Sequence, residues 1–422
     1  MVTIVEYEPI ACGNVPGVTS LPKRDFDSLL EFAESNADSD GSPLLTIGKK
    51  KGIPGLVVKA TKYVGVIQLN TGTCIEILPK IAKDNGITDA ENARIIFERM
   101  IRTVYKMPSR ESGTSNLSKR SNILELFITR YVEMVMEIVE CGMAAAYYDT
   151  EGNEKFMRGR LDIPNNIKYN LVHAERFYVH YQIFGLNRPE NRIIKQTLTL
   201  LYSVTQNARN KWRINNLLSD LEEVPLPENI DLDFEMIDIQ RNMDKYRLVL
   251  DWSAAFLKRE SFSIFRGNRE AFALLFPMDA LYEKYIYSIL SRLPSEMEFT
   301  DHESSYLFRD ESNKKKVQII PDIIAKKDSK CVAILDTKWK MILRENDVSQ
   351  ADIYQMYVYA SKFHCENAIL IYPRVSDTAF HYKDDDMNIH VKNFNFNLLK
   401  PNPEALIDMI EEILTRTEYS KQ

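Results

Sequence analysis

The sequence is poor in cysteine and has no paired cysteines. Five cysteines are spread over 422 residues, and none belongs to a Cys-x-x-Cys pair. A zinc site built from such pairs and a framework of disulfides are therefore not expected. The five positions are Cys12, Cys74, Cys141, Cys331 and Cys365.

Targeting and membrane signals are also lacking. The chain begins Met-Val-Thr-Ile-Val-Glu-Tyr-Glu, without a basic segment followed by an apolar one. No apolar run is long enough to cross a bilayer. We therefore expect a cytoplasmic protein without a membrane partner.

Two common enzyme motifs are missing. The stretch Gly48-Lys49-Lys50-Lys51 lacks both the glycine spacing and the hydroxyl residue of a P-loop. Hence no nucleotide is expected to bind through such a loop. The Gly-x-Ser-x-Gly turn of α/β-hydrolases is absent as well.

A surplus of positive charge is missing too. The formal net charge is -6, so no general basic surface indicates nucleic acid. Two local groups of lysines, 314–316 and 326–327, could contact phosphates. They could equally form the solvated surface of a hairpin.

The most informative segment lies in the last third of the chain. It combines Pro321-Asp322 with an apolar run that ends in Asp336-Thr337-Lys338. If the two parts are neighbouring strands, Asp336 and Lys338 share a face and Thr337 points away from them. Asp322, placed across from them, would complete a group of two carboxylates and one ammonium. Carboxylates suit Mg²⁺, and a lysine beside the metal can orient or activate water for phosphodiester hydrolysis.

A plainer interpretation exists for each part of this pattern. An aspartate at a strand end is often a turn or cap residue, and Asp-x-Lys is a common triplet. Yet residues 332–335 are all apolar, as in a strand covered on both faces. Burying unpaired charges where that strand ends would be costly. A functional cluster therefore explains Asp336 and Lys338 better than a solvated turn does.

The surrounding segments have the order helix, three strands, helix, strand. Periodicity predicts helices over Met278–Leu290 and 347–363, the second capped by Ser349 or Asp347. The predicted strands cover residues near 296–300, 317–325, 331–339 and 368–372. This is the core order of the PD-(D/E)xK nuclease superfamily, and the carboxylates fall on its second and third strands.

The rest of the chain is assigned more coarsely. Short β-like runs at 44–47, 55–60, 63–69 and 74–78, between glycines and prolines, predict a small antiparallel sheet or barrel over 1–85. A mainly helical region is predicted over 86–265, with a polar loop at 108–121. The last domain, 266–422, is predicted to be an α/β core with a mixed sheet flanked by helices. The fold class expected for the whole chain is α+β with several domains.

Several segments together resemble the McrC family, the nuclease subunit of the McrBC modified-cytosine restriction system. The resemblance in the last domain rests on residues 321–324, 334–340 and 352–360. Earlier segments that are similar to the family are 65–68, 75–81, 158–163 and 187–195.

The resemblance implies roles for the motif residues. Asp322, Asp336 and Lys338 correspond to the catalytic triad of a PD-(D/E)xK site. Asp322 and Asp336 would hold Mg²⁺ or Mn²⁺, and Lys338 would serve the attacking water. The enzyme implied is a Mg²⁺-dependent endodeoxyribonuclease.

Three further residues match accessory positions of related nucleases. Gln355 and Tyr359 lie four residues apart on one predicted helix, and so share a face, like the Q-x-x-x-Y pair that braces such sites. Tyr359 could otherwise be a core aromatic residue. Glu283 lies on the preceding helix, where many members place an extra acid near the metal; it could otherwise be an exposed acid beside Lys284.

The resemblance also implies a partner. In the McrC family a separate subunit, McrB, is a hexameric AAA+ GTPase that translocates DNA. The amino-terminal part of McrC enters the McrB ring and stimulates GTP hydrolysis. For this chain the resemblance implies that 1–265 is mainly a docking module, with the 108–121 loop as its contacting tip or as a plain surface loop. The complex would cleave modified-cytosine DNA that the partner recognises.

Two other functions stay open at this point. The chain could be a non-catalytic regulatory subunit that uses a nuclease fold as a scaffold and activates the GTPase. It could also be a stand-alone PD-(D/E)xK nuclease.

Overall fold

The chain folds into two compact units. Its computed structural model describes residues 2–35, 41–80, 83–84, 87–88, 90–105, 123–237, 244–257, 263–266, 271–309, 315–342, 347–373, 381–384, 389–396, 398, 401–402 and 404–419. Unit 1 consists of Met1–Leu117 and Arg266–Gln422, and unit 2 of Ser118–Phe265. The first residues of the chain thus lie in the same unit as the last ones, a division that differs from 1–85, 86–265 and 266–422. The functional roles given to those three segments stay predictions.

Strands and helices alternate along the described residues. The strands are β1 (Val2–Val5), β2 (Pro9–Cys12), β3 (Thr19–Leu21), β4 (Leu45–Gly48), β5 (Val57–Ala60), β6 (Tyr63–Leu69), β7 (Cys74–Leu78), β8 (Lys83–Asp84), β9 (Ile87–Thr88), β10 (Ala146–Glu154), β11 (Arg160–Leu161), β12 (Phe177–Gly185), β13 (Ser263–Arg266), β14 (Ala271–Pro277), β15 (Glu298–Asp301), β16 (Ser305–Arg309), β17 (Lys315–Ile319), β18 (Ile323–Lys327), β19 (Lys330–Thr337), β20 (Asn367–Pro373), β21 (His381–Asp384) and β22 (Ile389–Phe396). The helices are α1 (Lys23–Ser35), α2 (Ala90–Val104), α3 (Ile123–Cys141), α4 (Ile163–Asn170), α5 (Pro189–Val204), α6 (Ala208–Asp220), α7 (Ile230–Glu235), α8 (Asp244–Leu257), α9 (Met278–Leu290), α10 (Gln350–Lys362) and α11 (Glu404–Tyr419).

The strands within residues 2–78 belong to two sheets, and both contain parallel pairs. One sheet places β3, β2, β5 and β4 side by side, with β2 and β3 parallel. The other contains β1, β7, β6 and β14 in that order, with β1 and β7 parallel. The prediction of a small antiparallel sheet or barrel over 1–85 missed these parallel pairs. Turn residues between successive runs indicate hairpins, but they carry no information on pairing between strands that are far apart in sequence.

Strand β14 joins the amino-terminal strands to the last third of the chain. It pairs antiparallel with β6, from Ala271 opposite Leu69 to Pro277 opposite Tyr63. At Gly65 the two backbones are so close that a Cβ would lie 2.0 Å from the carbonyl oxygen of Leu274, and φ is +145°. Only glycine fits this position.

A six-stranded mixed sheet carries the motif residues. Within the described residues its order is β15, β18, β19, β20, β22, β21. Strands β18 and β19 are antiparallel, and β19 and β20 are parallel. All seven residues of β20 are buried, as expected of a strand covered on both faces. Helix α9 precedes β15, β18 and β19 in the chain and α10 follows them, while β16 and β17, which lie between β15 and β18, belong to a separate ribbon.

The strand predicted over 317–325 is in fact two strands. Strand β17 ends at Ile319 and β18 begins at Ile323, because Pro321 has no N–H to continue a ladder. Strand β17 pairs with β16 in a separate two-stranded ribbon instead.

Unit 2 combines helices with a small sheet. Helix α5 packs against α6, α7 and α8, and the sheet has the order β10, β12, β11. Asp162 caps the amino end of α4 by accepting a hydrogen bond from the Asn165 N–H, and its Oδ2 lies 2.9 Å from His180 Nε2. The Arg-Gly-Arg-Leu-Asp segment, residues 158–162, contains β11 and ends directly before α4. Within the described residues of either unit, none of the helices has the length and apolar character needed to cross a bilayer.

Candidate active site

Strands β18 and β19 bring the two motif aspartates together. Ile323 lies opposite Leu335 in the antiparallel ladder. Asp322 directly precedes β18 and Asp336 directly follows Leu335 in β19, so continuing this register by one step brings the two aspartates to neighbouring positions. Asp336 is 1% exposed although its side chain is ionisable. The catalytic role that the sequence predicts for the two aspartates stays a prediction.

Thr337 fixes the position of Asp322. Its backbone N–H and its hydroxyl both donate hydrogen bonds to Asp322 Oδ2, at 2.7 Å and 2.8 Å. The sequence predicted that Thr337 turns away from Asp336 and Lys338, and it gave no sign of this contact with Asp322. Such bonds to a carboxylate are stronger than those between neutral groups, so Asp322 has little freedom to turn.

Lys338 lies between an aspartate and a glutamine. Its Nζ is 2.5 Å from Asp336 Oδ2 and donates to Gln355 Oε1 at 3.2 Å. Gln355 in turn donates to the Tyr359 hydroxyl at 2.8 Å, and that hydroxyl donates to the carbonyl oxygen of Ile320 at 3.2 Å. A continuous chain of bonds therefore runs from the lysine through α10 to the residue before Pro321-Asp322. Tyr359 is a largely buried aromatic and a hydrogen-bonding group at once.

Asp336 and Glu283 have raised pKa values. Burial, and then the charge of Asp322, raises the pKa of Asp336 to about 7. Burial, and then the charges of Asp322 and Asp336, raises the pKa of Glu283 to about 7. Burial lowers the pKa of Lys338, but the charge of Asp336 and its neighbours outweighs it and the net shift is upward. The charges of Asp322 and Asp336 thus act on Glu283, and the site holds more acidic groups than lysines.

These groups fit a divalent cation. Oδ2 of Asp336 and Oε1 of Glu283 are buried, and each contacts a basic side chain: Lys338 Nζ lies 2.5 Å from the first and His302 Nε2 3.1 Å from the second. The carboxylates are crowded by like charge, which a cation would offset, and oxygen ligands suit Mg²⁺ or Mn²⁺.

The acids do not form a full cage. Ligand atoms of Glu283, Asp322 and Asp336 do not all lie within 4.8 Å of one another, since the sole group of that kind among the described residues is Glu151, Asp162 and His180 in unit 2. This arrangement agrees with a metal held through one or two protein carboxylates, as is usual for Mg²⁺.

Two polar contacts near the site had no sequence signal. Lys340 Nζ lies 2.9 Å from Asp352 Oδ2, which joins the end of the Asp-x-Lys segment to the first turn of α10. Trp339 Nε1 donates to Glu6 Oε2 at 3.1 Å. Both pairs join segments that are separate in the sequence, so spacing could not reveal them.

Comparison with protein families identifies one match over most of the chain. Residues 58–373 match the family described as McrBC 5-methylcytosine restriction system component. No curated protein matches the sequence.

Two solved structures share parts of the fold. One is a refined half-complex from a tetradecameric assembly of Thermococcus gammatolerans McrB AAA+ hexamers with bound McrC. The match to one chain of that structure covers 97% of this chain and 99% of the other, with a TM-score of 0.65 at 18% identity. The other is a cryo-EM structure of the Thermococcus gammatolerans McrBC complex, where the match covers 69% of this chain and 87% of the other, with a TM-score of 0.49 at 18% identity.

Proposed function

This chain belongs to the family of McrBC 5-methylcytosine restriction system components, and on that premise we propose that it is the subunit that cleaves DNA by metal-dependent phosphodiester hydrolysis. The observation that carries the proposal is the placement of Asp322 and Asp336 at the end of the β18–β19 ladder, where the Thr337 N–H donates to Asp322 at 2.7 Å and Lys338 Nζ lies 2.5 Å from Asp336. Asp322 directly precedes β18 and Lys338 directly follows β19, the second and third strands of the six-stranded sheet, which supports the PD-(D/E)xK assignment.

Each residue of the set has a role in this proposal. Asp322, held by Thr337, and Asp336 would hold Mg²⁺ or Mn²⁺. A bound divalent cation supplies positive charge beside the phosphate and lowers the pKa of water. Lys338, held by Gln355, orients the attacking water and offsets negative charge that develops on the phosphate oxygens.

Glu283 and the pair Gln355 and Tyr359 keep supporting roles. Glu283 adds a third carboxylate whose raised pKa places it near the two aspartates. Gln355 and Tyr359 position Lys338 relative to the Pro321-Asp322 segment through their hydrogen bonds.

The partner in this proposal is a McrB-like AAA+ GTPase hexamer. Complexes of that kind are what the two structures with a similar fold contain. Unit 2 offers a surface for docking, because the β10–β12 sheet, α4 and the segments between them expose many large apolar side chains. These are Tyr147, Phe156, Met157, Ile163, Ile167, Tyr169, Leu171, Val172 and Phe184. The 108–121 loop, named above as a candidate tip, lies outside the described residues. Recognition of modified cytosine is assigned to the partner.

A direct test compares two conservative variants of the full chain in complex with its GTPase partner. Asp336→Asn removes one buried carboxylate and should abolish cutting of DNA in the presence of Mg²⁺, while binding to the partner and stimulation of GTP hydrolysis persist. Asp328→Asn changes an exposed residue in the turn before β19 and should cut normally. Undiminished cutting by Asp336→Asn would refute the catalytic role.

The test also separates the alternatives. A regulatory scaffold would stimulate GTP hydrolysis but would produce no metal-dependent nicks with any preparation. A stand-alone nuclease would cut at the same rate with and without the partner. The grouping of Asp322, Asp336 and Glu283 around one lysine favours the nuclease over the scaffold, because a purely structural site would gain nothing from buried carboxylates crowded by like charge.

A further inference from the structure

A two-stranded ribbon leads directly into the site. Strands β16 and β17 pair antiparallel, from Ser305 opposite Ile319 to Arg309 opposite Lys315. Ile319 is buried in the core beside α10, and Asp322 follows three residues later. The end of the ribbon at Ile319 is thus anchored close to Asp322.

One face of this ribbon is exposed and mixes aromatic and basic residues. Phe308 is 65% exposed and lies opposite Lys316. Tyr306 is on the same face as Phe308, since the two are separated by one residue. Leu307, between them, packs against the core instead. The face that carries Phe308 and Lys316 therefore points to solvent.

Strand β17 is irregular where it is most exposed. Val317 has a φ of +55°, a left-handed conformation that is strained for a β-branched residue. The ladder has no pair at Val317, which lies between the pairs of Lys316 and Gln318, and the valine is 57% exposed. Lys315 Nζ lies 5.0 Å from the centre of the Tyr306 ring, so its charge stays at the surface beside an aromatic.

The second basic group of the sequence faces acids of neighbouring segments. Lys326 forms an ion pair with Glu303, and Lys327 with Glu296 at 2.7 Å. Two exposed lysines also give this ribbon a positive charge that complements DNA, although the whole chain has a net charge of -6.

We propose that the β16–β17 ribbon holds duplex DNA beside the bond to be cut, with Lys315 and Lys316 on phosphates and Phe308 on bases. The inference rests on the proposed nuclease function and deepens it. The major groove admits a two-stranded ribbon. From Lys316 to Asp322 there are six residue steps, which span at most about 20 Å, so the contacts fall within one turn of the duplex from the site.

The two kinds of contact make different predictions for salt dependence. A lysine that neutralises a phosphate releases a counterion, and each such contact changes the slope of log affinity against log salt by about 0.9. Replacing Lys315 and Lys316 by glutamine should therefore reduce the slope by about 2 and lower affinity at least tenfold at low salt. Phe308→Ala removes an uncharged contact, so it should lower affinity about tenfold and leave the slope unchanged.

The measurement is fluorescence anisotropy with a labelled duplex of about 30 base pairs over a series of salt concentrations. The protein is the full chain carrying Asp336→Asn, alone and in complex with its GTPase partner, so that binding is measured without cutting. Matched controls are Lys330→Gln together with Lys362→Gln, both on exposed lysines elsewhere in the last domain, and Leu56→Ala on an exposed apolar residue. The same substitutions are also made in the parent chain, which keeps Asp336, and these variants are assayed for DNA cutting.

The outcomes distinguish this inference from the proposed function. Ribbon variants that bind DNA more weakly and show the expected salt dependence support the inference, even if no preparation cuts DNA. Ribbon variants that match the controls in DNA affinity, salt dependence and cutting rate overturn the inference, while cutting by the parent chain leaves the nuclease function intact. A complex that neither binds nor cuts duplex DNA overturns both.

Discussion

Trp339 donates a hydrogen bond from its indole N–H to the carboxylate of Glu6, 3.1 Å away. Glu6 also accepts a bond from the backbone N–H of Lys80 at 2.7 Å, and its other oxygen is buried without a hydrogen-bond donor among the described residues. The Trp339 ring packs on Tyr282 of α9, with centroids 5.3 Å apart. The residue that follows Lys338 is thus held from two directions, by the end of β1 and by α9.

The first prediction concerns the pH dependence of stability. Burial raises the pKa of Glu6 from 4.5 to about 7. The folded state therefore binds this proton more tightly than the unfolded state. The contribution of Glu6 to the free energy of unfolding is greatest below pH 4.5, falls as the pH rises to about 7, and is constant above that. Between these two limits the free energy of unfolding falls by about 3 kcal/mol.

Glu6→Gln should remove this dependence while keeping an oxygen that accepts from Trp339. We expect chemical unfolding of the parent chain and of Glu6→Gln to converge in free energy near pH 5, and Glu6→Gln to be the more stable near pH 8. Glu8→Gln, on an exposed carboxylate in the same turn, is the control. A parent and a Glu6→Gln variant with parallel pH profiles would contradict the prediction.

A second prediction concerns metal affinity. The pKa values of Asp336 and Glu283 are both raised to about 7, and a carboxylate must lose its proton to bind a metal. Affinity for Mg²⁺ should therefore increase with pH up to about 7, by up to tenfold per pH unit for each proton displaced, and level off above. Titration calorimetry between pH 5.5 and 8.5 measures this. Binding that is equally tight at pH 5.5 and 8 would show that neither acid is a ligand.

A third prediction concerns the chain of bonds on α10. Tyr359→Phe removes a hydroxyl that accepts from Gln355 and donates to Ile320 O. It should cost about 1 kcal/mol in stability and lower the rate of cutting, because Gln355 and Lys338 lose their fixed positions. Metal affinity should change little, since Asp322 and Asp336 keep their contacts.

The control on the same helix is Tyr354→Phe, which changes a side chain that is 66% exposed. Gln355→Glu gives a further comparison, because it keeps an acceptor for Lys338 but adds a negative charge. If Tyr359→Phe and Tyr354→Phe cut at equal rates, the bracing role of Tyr359 is excluded.

A fourth prediction concerns unit 2. Gly159 has a φ of +67°, and a Cβ there would lie 2.1 Å from the carbonyl oxygen of His180. Gly159→Ala should therefore separate β11 from β12, destabilise unit 2 by at least about 2 kcal/mol and weaken stimulation of the partner GTPase. The measurement is the GTPase rate against the concentration of the chain.

Gly152→Ala is the matched control on β10, where a Cβ would meet Glu154 Oε1 at 3.6 Å, an ordinary contact. It should stimulate the GTPase like the parent chain. If Gly159→Ala stimulates the GTPase as well as the parent chain does, the β11–β12 pairing is not needed for docking on the partner.

Local patterns in the sequence predicted several elements well. The helix over Met278–Leu290 and the strands over Tyr63–Leu69 and Cys74–Leu78 are confirmed with the same bounds. In each, the apolar residues repeat with the period of one type of structure, and turn residues lie at the ends. The Asp-x-Lys spacing likewise predicted that Asp336 and Lys338 lie together, and Lys338 Nζ is 2.5 Å from Asp336 Oδ2, while the catalytic role of the three residues stays a prediction.

Contacts between distant segments could not be predicted in this way. The pairing of β6 with β14, the bond from Trp339 to Glu6 and the ion pair of Lys340 with Asp352 depend on how whole sheets meet. Helix α1 was also missed, because the glycine-rich and proline-rich runs around it favoured strands. The break of the 317–325 strand had a signal in Pro321 that a single apolar run obscured.

The pairing of β6 with β14 has a consequence for synthesis on the ribosome. Strand β6 emerges about 200 residues before β14 does, so one of its edges waits roughly ten to forty seconds for its neighbour. An uncovered apolar edge of this kind invites pairing with other nascent chains. Chaperone capture and premature termination should therefore matter more for this protein than for one whose sheets are completed in order of translation.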